Sequence, residues 1–499
     1  MNLSLLLQMA AEADADRVGL VCTGRPWSYG TLLQAARGAA ACIADSGACH
    51  VALLDENSEA AAIGLFGAAI AGVPYVPLNY RLADADLAAL LKRIAPAAVI
   101  GDVERVRRLD PDGGNRLWTR ADFVAASESN AAGAADIQER DDGVAVQIFT
   151  SGTTAAPKAA VLRHANLVSY ILGTVEFLSA DPAEAAVVSV PPYHIAGIAA
   201  LLSSTYAMRR IVFLPSFDAD TWLGLAAAQR ATHAFVVPTM LSRIIGRIDA
   251  GVRPDLSALR AIAYGGGRMP TELIDRALTL FPNADFTNAY GLTETSSTIA
   301  LLGPDDHRAA HRSDVAHVRA RLGSVGRPLP TVELQIRDEE GRALAPGERG
   351  EIYVRGEQVS GEYRERSAID AEGWFPTRDA GWLDAEGYLF LAGRADDVIV
   401  RGGENISPGE IEDVLLSHPA IGDAAAVAVA SLEWGEAVGV AVVVRPQHAR
   451  PGEAELQTLV RNRLRSSRVP ERVLFVEALP YNEMGKLLRR EVRRLFQPA

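Results

Sequence analysis

Short apolar runs alternating with alanine-rich stretches of helical period set the pattern of the first half of this chain. Val51-Ala-Leu-Leu54, Ala98-Val-Ile100, Val187-Val-Ser-Val190, Ile211-Val-Phe-Leu214 and Ala234-Phe-Val-Val237 have strand length, and each predicts a β-strand. Between them, segments such as 59–71 and 221–230 have helical periodicity. Strand–helix alternation at this spacing predicts parallel sheets covered by helices. From about Gly323 the pattern changes. Val332-Glu-Leu-Gln-Ile336, Gly350-Glu-Ile-Tyr-Val-Arg355 and Gly387-Tyr-Leu-Phe-Leu391 are short strands parted by Gly, Asp and Pro turns, which predicts a small antiparallel barrel or sheet. After Gly393-Arg-Ala-Asp-Asp397 the alternation returns: helix 407–417, strands 424–428 and 439–444, helix 453–464, strand 473–476.

The expected class is therefore α/β. A large N-terminal domain over 1–394 holds two helix-covered, mostly parallel sheets, with the small β-barrel at about 320–392; a small α+β domain follows over 395–499. The chain's 499 residues exceed what a single core usually supports. No internal repeat or low-complexity linker interrupts it.

Charge and composition exclude several classes. The net charge of −13 argues against a nucleic-acid partner, which needs a basic face. From Arg461 to the end, ten Lys/Arg against four Asp/Glu form a local basic excess, read either as a solvated face or as a dock for a small polyanion. Cys22, Cys42 and Cys49 are odd in number and form neither a disulfide framework nor a metal set, which suits a reducing cytoplasm. No signal segment or membrane span is read from the sequence.

The richest chemical signal is Phe149-Thr-Ser-Gly-Thr-Thr-Ala-Ala-Pro-Lys158, directly after the apolar run Val144-Ala-Val-Gln-Ile-Phe149. Hydroxyls and backbone N–H groups of Thr150, Ser151, Gly152, Thr153 and Thr154 could cradle a phosphate chain, with Lys158 adding charge. The Walker spacing is absent. Six further segments follow in order: Pro191-Pro-Tyr-His-Ile-Ala-Gly197; Tyr264-Gly-Gly-Gly-Arg-Met-Pro270; Asn288-Ala-Tyr-Gly-Leu-Thr-Glu294; Gly373-Trp-Phe-Pro-Thr-Arg-Asp379; Gly393-Arg-Ala-Asp-Asp397 with Gly402-Gly-Glu-Asn-Ile406; and Asn482-Glu-Met-Gly-Lys486. The ordered set closely resembles the adenylate-forming superfamily of acyl-CoA synthetases, adenylation domains and beetle luciferase.

The resemblance implies an enzyme that joins a carboxylic acid to the α-phosphate of ATP, releases pyrophosphate, and passes the acyl group from acyl-AMP to CoA. Under it, Thr150–Thr154 and Lys158 hold the β and γ phosphates, Thr293 contacts the α-phosphate, and Glu294 helps hold Mg²⁺. Tyr290 stacks on adenine, with Gly266 and Gly267 on its other face; Arg268, Asn288, Ala289 and Gly291 belong to the same nucleotide site. Asp379 and Arg394 support the ribose, and Lys486 bridges the carboxylate and the α-phosphate. His194, Phe235, Gly265, Ala289, Gly291 and Thr295 border the acyl pocket. The small residues at 265, 289 and 291 imply a roomy cavity for a medium-length, aryl or polycyclic acid. Asp396 matches a hinge on which the small C-terminal domain, 395–499, is mobile, Gly402 and Gly403 border the pantetheine tunnel, and Trp434 meets CoA.

Plainer readings stand beside these. Lys486 could be a surface charge at a helix start, Asp379 a turn cap, His194 a satisfied loop histidine, and Trp434 core packing. Gly402-Gly-Glu-Asn405 and Pro77-Leu-Asn-Tyr-Arg81 point to the acyl- or aryl-CoA synthetase branch. Ala155 and Ala159 replace the usual glycines of the phosphate loop, tolerable where φ stays negative. Arg378 replaces a small residue before Asp379. Ser467 and Glu471 replace an aromatic and basic pair on the CoA side, leaving Arg468 and Arg472 and keeping an acyl carrier protein open as acceptor. A non-catalytic nucleotide-binding homologue is the third reading. The expected partners are a small carboxylic acid and CoA or a carrier protein, and the chain is expected to be a monomer or homodimer.

Overall fold

The computed structural model describes residues 1–130, 143–150, 157–394, 397–401, 404–431, 434–482 and 487–497. Two large sheets carry most of the chain. One has nine strands in the order Arg327–Pro328, Ser297–Leu302, Asp285–Leu292, Ala261–Gly265, His233–Val236, Ala185–Val188, Arg210–Phe213, Val18–Cys22 and Arg25–Ser28. Pairings from Asp285–Leu292 through to Val18–Cys22 are parallel, and those at both ends are antiparallel. The other sheet has eight strands: Arg366–Ser367, Glu362–Tyr363, Lys158–Arg163, Val144–Thr150, Tyr75–Pro77, His50–Leu54, Ala97–Gly101 and Arg116–Trp118.

The helix Glu59–Ala71 has the boundaries that its periodicity predicts. It is apolar and buried on every side, as an element with no face on solvent should be. Its Leu65, Phe66 and Ile70 share one core with Leu20, Ile211 and Phe213 of the nine-stranded sheet and Val51, Ile100 and Val146 of the eight-stranded sheet. It stops at Gly72, whose φ of 72° is the left-handed cap that glycine adopts without strain.

The barrel region is a four-stranded antiparallel sheet, Glu333–Arg337, Gly350–Arg355, Phe375–Leu383 and Leu389–Arg394. The C-terminal part is a five-stranded sheet built on the long pair Ile421–Ser431 and Gly435–Val444. Helices Pro408–Leu416 and Glu453–Arg463 cover one face, and Arg489–Arg494 packs on the other through Val492. The fold is thus α/β, with a large N-terminal portion and a small α+β C-terminal portion.

One N-terminal element escaped the hydrophobic pattern. Val18–Cys22 and Arg25–Ser28 form a hairpin across Thr23-Gly24, both at positive φ (47° and 83°), the turn whose twist suits a two-residue connection. Among the described residues no helix is long and apolar enough to cross a membrane.

Candidate active site

The nucleotide-side residues converge at the C-terminal ends of two neighbouring parallel strands, where open α/β sheets present their crevices. Register places Gly265 opposite Ala289 and Tyr264 opposite Asn288. Glycine is required here by the backbone. A Cβ on Gly265 would stand 2.2 Å from the Ala289 carbonyl oxygen, and one on Gly291 would stand 1.7 Å from the Ser297 carbonyl oxygen. Both glycines therefore admit neighbouring main chain. This corrects the inference of a roomy acyl cavity from small residues at 265 and 291: their size answers strand packing. Gly266, with φ of 76°, turns the chain away at the strand end.

Tyr290 is buried, and its hydroxyl donates to Asp379 Oδ2 at 2.6 Å. Arg394 Nε lies 3.1 Å from Asp379 Oδ1, and the two residues are cross-strand partners. The Asp379 N–H donates to Thr377 Oγ1 at 3.1 Å, and that hydroxyl donates to the Ile352 carbonyl. Arg394 also donates to the Thr377 carbonyl at 3.1 Å. Burial, then the Asp379 charge, pushes the Tyr290 hydroxyl well above the usual phenol range, so it stays a donor. Arg378, just before Asp379, sits at φ 62°, in the left-handed region where a smaller residue is at ease.

A second group gathers around the short 3₁₀ turn Thr293–Thr295. Tyr363 donates its hydroxyl to Glu294 Oε1 at 2.7 Å, and Lys158 Nζ lies 5.7 Å from the centroid of the same ring. Lys158 begins the strand Lys158–Arg163 and pairs with Thr150, so the phosphate-loop candidate is the connection of a β-hairpin. Ala159 is a buried strand residue without positive φ, so its methyl fits. Among the described residues no group of three or more His, Cys, Asp and Glu could cage a metal. A lone, half-buried Glu294 carboxylate still suits Mg²⁺, which takes one or two carboxylates and completes its shell with phosphate oxygens and water.

His194 caps the N-terminus of the helix Ile195–Ala207, its ring 4.5 Å from that of Tyr193, which in turn meets Tyr80 at 5.5 Å. Its Nε2 is buried without a hydrogen-bond partner. Burial, reinforced by Arg81, lowers its pKa to about 4, so the imidazole is neutral at physiological pH. Phe235 lies beside Gly265: a Cβ placed on that glycine would be 3.6 Å from the Phe235 Cζ.

Several candidates are engaged in structural bonds. Thr295 is fully buried, its hydroxyl held by the Leu292 and Ser297 carbonyls and the Leu292 N–H, so it shapes the turn. Asn288 donates to the Ser324 carbonyl at 3.0 Å. Arg268 reaches the C-terminal portion, donating to the Gly409 carbonyl at 2.6 Å and pairing with Asp413. Trp434 is 42% exposed, which removes core packing as its explanation; the Arg401 guanidinium lies 5.4 Å from its ring. Ser151, Gly152, Thr153, Thr154, Ala155, Asp396, Gly402, Gly403 and Lys486 lie outside the described residues. Tyr363 and Gln358 were not singled out in the sequence, because no local motif marks a residue whose partners lie tens of positions away.

Residues 7–364 match the family described as AMP-binding enzyme, and residues 410–486 match the AMP-binding enzyme C-terminal domain. Feruloyl-CoA synthase from Amycolatopsis sp. is 33% identical, covering 90% of this chain and 89% of that protein. The fatty acid–[acyl-carrier-protein] ligase ScoC from Streptomyces coeruleorubidus is 31% identical, covering 97% and 95%. The o-succinylbenzoate CoA synthetase from Bacillus subtilis, solved with its acyl-adenylate intermediate, superimposes with a TM-score of 0.83 at 26% identity over 99% of this chain and 98% of that one. The same synthetase, solved with ATP and magnesium ion, gives a TM-score of 0.81 at 25% identity over 97% and 98%. With the first match spanning well over half of the chain and the second following it in order, this chain belongs to the AMP-binding enzymes.

Proposed function

We propose that this enzyme is an ATP-dependent carboxylic acid:CoA ligase of the AMP-forming type, working in the cytoplasm as a monomer or homodimer. The observation that carries the reading is the pair of adjoining clusters: Tyr290–Asp379–Arg394, fit for a nucleoside, and Thr293–Glu294 with Tyr363 and Lys158, fit for its phosphates. In the first step a substrate carboxylate oxygen attacks the α-phosphorus, a new P–O bond forms, and the bond to the β-phosphate breaks to release pyrophosphate. Both reactants are anions, so the protein's contribution is alignment and charge neutralisation. Lys158 serves the outer phosphates, Thr293 the α-phosphate, and Lys486 the carboxylate and α-phosphate together. Glu294 would hold Mg²⁺, which when bound neutralises phosphate charge. In the second step the CoA thiolate sulfur attacks the acyl carbon and AMP leaves.

Residues 1–394 are the ATP- and acid-binding domain, and 395–499 turn about Asp396 between the steps, bringing Gly402, Gly403 and Trp434 to the thiol side. The aromatic group Tyr80–Tyr193–His194, with Phe235, favours an aryl or medium-length acid over acetate.

A second acceptor, the pantetheine arm of a carrier protein, has its own support. Arg401 is engaged by Glu471 at 2.6 Å and by the Ser467 carbonyl. Arg468 pairs with Glu410 at 2.9 Å, and Arg472 donates to the Phe496 carbonyl. Cations that could meet the nucleotide end of CoA are thus committed within the protein, and ScoC is a relative of this kind. The test is AMP and pyrophosphate release over an acid panel, with and without CoA, for the native chain and K486A. Acid-dependent pyrophosphate release that K486A lacks supports adenylation; an unaltered K486A rate overturns it. A thioester formed with CoA selects the first acceptor, and one formed only with carrier protein selects the second.

A further inference from the structure

The segment 358–363 fastens the turn that carries Glu294, and it does so at both main chain and side chain. Ser360 N–H and Gly361 N–H both donate to the Glu294 carbonyl, at 2.9 and 3.0 Å. Buried Gln358 spans the turn, its Nε2 donating to the Thr295 carbonyl at 3.1 Å and the Thr298 carbonyl at 2.7 Å. The Ser360 hydroxyl ties the segment to the Val161 carbonyl, and Tyr363 pairs with Ala160, two residues after Lys158. Gly361, at φ 53°, turns the chain where a Cβ would strike Ile369 and Phe375. The Tyr363 ring therefore stands between the two charged groups of the phosphate end: its hydroxyl on Glu294 Oε1 at 2.7 Å, its face 5.7 Å from Lys158 Nζ.

We propose that Tyr363 is a positioning residue for Glu294: by capping Oε1 it leaves one carboxylate oxygen for a divalent cation and thereby favours Mg²⁺ over Ca²⁺. The inference rests on the adenylation reading, in which Glu294 takes the metal. A carboxylate with one oxygen turned to a hydroxyl donor presents its other oxygen to a metal more readily than it chelates with both. Mg²⁺, small and strictly octahedral, is served by such single contacts, whereas Ca²⁺ is larger and gains from two-oxygen chelation. The clamp on the Glu294 carbonyl fixes the backbone from which that side chain reaches the hydroxyl. Among the described residues, no other hydrogen bond or ion pair engages the Glu294 carboxylate.

The test is calorimetric titration of ATP into the full chain without acid substrate, so that nothing turns over, in Mg²⁺, in Ca²⁺ and in chelator. The native chain should bind ATP more tightly with Mg²⁺ than with Ca²⁺. Y363F, which keeps the ring, should lose about tenfold in the Mg²⁺ titration, the usual loss when a ligand's supporting hydrogen bond is removed. Its Ca²⁺ and metal-free titrations should stay within about twofold of the native values. E294D, which draws the carboxylate back from the hydroxyl, should show the same fall in the Mg²⁺-to-Ca²⁺ ratio and covers the case of a Y363F that folds poorly. A native ratio in folded Y363F, or in E294D should Y363F not fold, overturns the proposal. Native ATP affinity indifferent to metal would instead remove the assignment of Glu294 as metal ligand, and the inference with it.

Discussion

Replacing Glu412 by alanine should destabilise the C-terminal portion more than any surface change. Glu412, in the helix Pro408–Leu416, is 5% exposed. Its carboxylate takes both terminal nitrogens of Arg489, one of them at 3.0 Å, and the Ala426 N–H at 2.8 Å; Arg268 lies 3.6 Å away. Burial pushes this carboxyl up, yet the charge and hydrogen bonds of Arg489, with Arg268 and the Ala426 N–H, outweigh it and hold the pKa below the usual range. Removing the carboxylate leaves Arg489, itself only 16% exposed at its side chain, as a buried charge without its main partner. Breaking one side of such a pair costs about 3–5 kcal/mol, whereas replacing both partners by apolar groups is often neutral. Urea unfolding followed by hydrogen exchange in the strand Ile421–Ser431 should show that loss for E412A and its recovery in E412L/R489M. The sign with pH follows: a lowered folded pKa gives stability that is present above the unfolded value of about 4.3 and is lost as pH falls through the folded one. A loss under about 1 kcal/mol for E412A, or a double variant as unstable as the sum of the singles, would refute the reasoning.

Two further outcomes are expected. R378G should raise the thermal midpoint, because it frees a left-handed backbone worth about 1 kcal/mol at a non-glycine residue; the exposed Arg378–Glu351 contact at 3.8 Å offsets little. An unchanged or lower midpoint contradicts this. His307 is buried and His194 half-buried with its Nε2 enclosed, and both have pKa values lowered to about 4, chiefly by loss of solvent around the ring. Each should withdraw stability as pH falls from about 6.5 toward 4, at up to about 1.4 kcal/mol per pH unit. Urea midpoints at descending pH should therefore fall less steeply for H194F than for the native chain, and equal slopes would reject the account.

What the chain discloses in one dimension depends on where a residue's partners lie. The helix Glu59–Ala71 is legible because its own apolar residues dictate burial and Gly72 ends it. The strands Ala185–Val188, Arg210–Phe213 and His233–Val236 are legible to within two residues for the same reason. Arg25–Ser28 is not, since its pairing rests on two positive-φ residues of which only one is glycine. Gly265 and Gly291 mislead because a glycine can make room for a ligand or for another backbone, and only the distance to the Ala289 and Ser297 carbonyls decides between them. Arg268 sits in a glycine-rich motif assigned to the nucleotide site, yet it grips Asp413, 145 residues on. Tyr363 carries no motif because its partner Glu294 is 69 residues away.

A chain with net charge −13 must still receive the four negative charges of ATP beside a carboxylate substrate. Net charge is the wrong measure, since exposed charges farther away than about 8 Å are largely screened at physiological salt. What matters is whether the carboxylates around the site are already neutralised. Asp379 is shared by Arg394 and the Tyr290 hydroxyl, and Glu294 accepts from Tyr363, with Lys158 Nζ 5.7 Å from the centroid of that ring. Each is matched to a donor carried by a different strand or helix. The acidic surplus therefore does not oppose the nucleotide, because the carboxylates nearest to it are already held by donors of the fold.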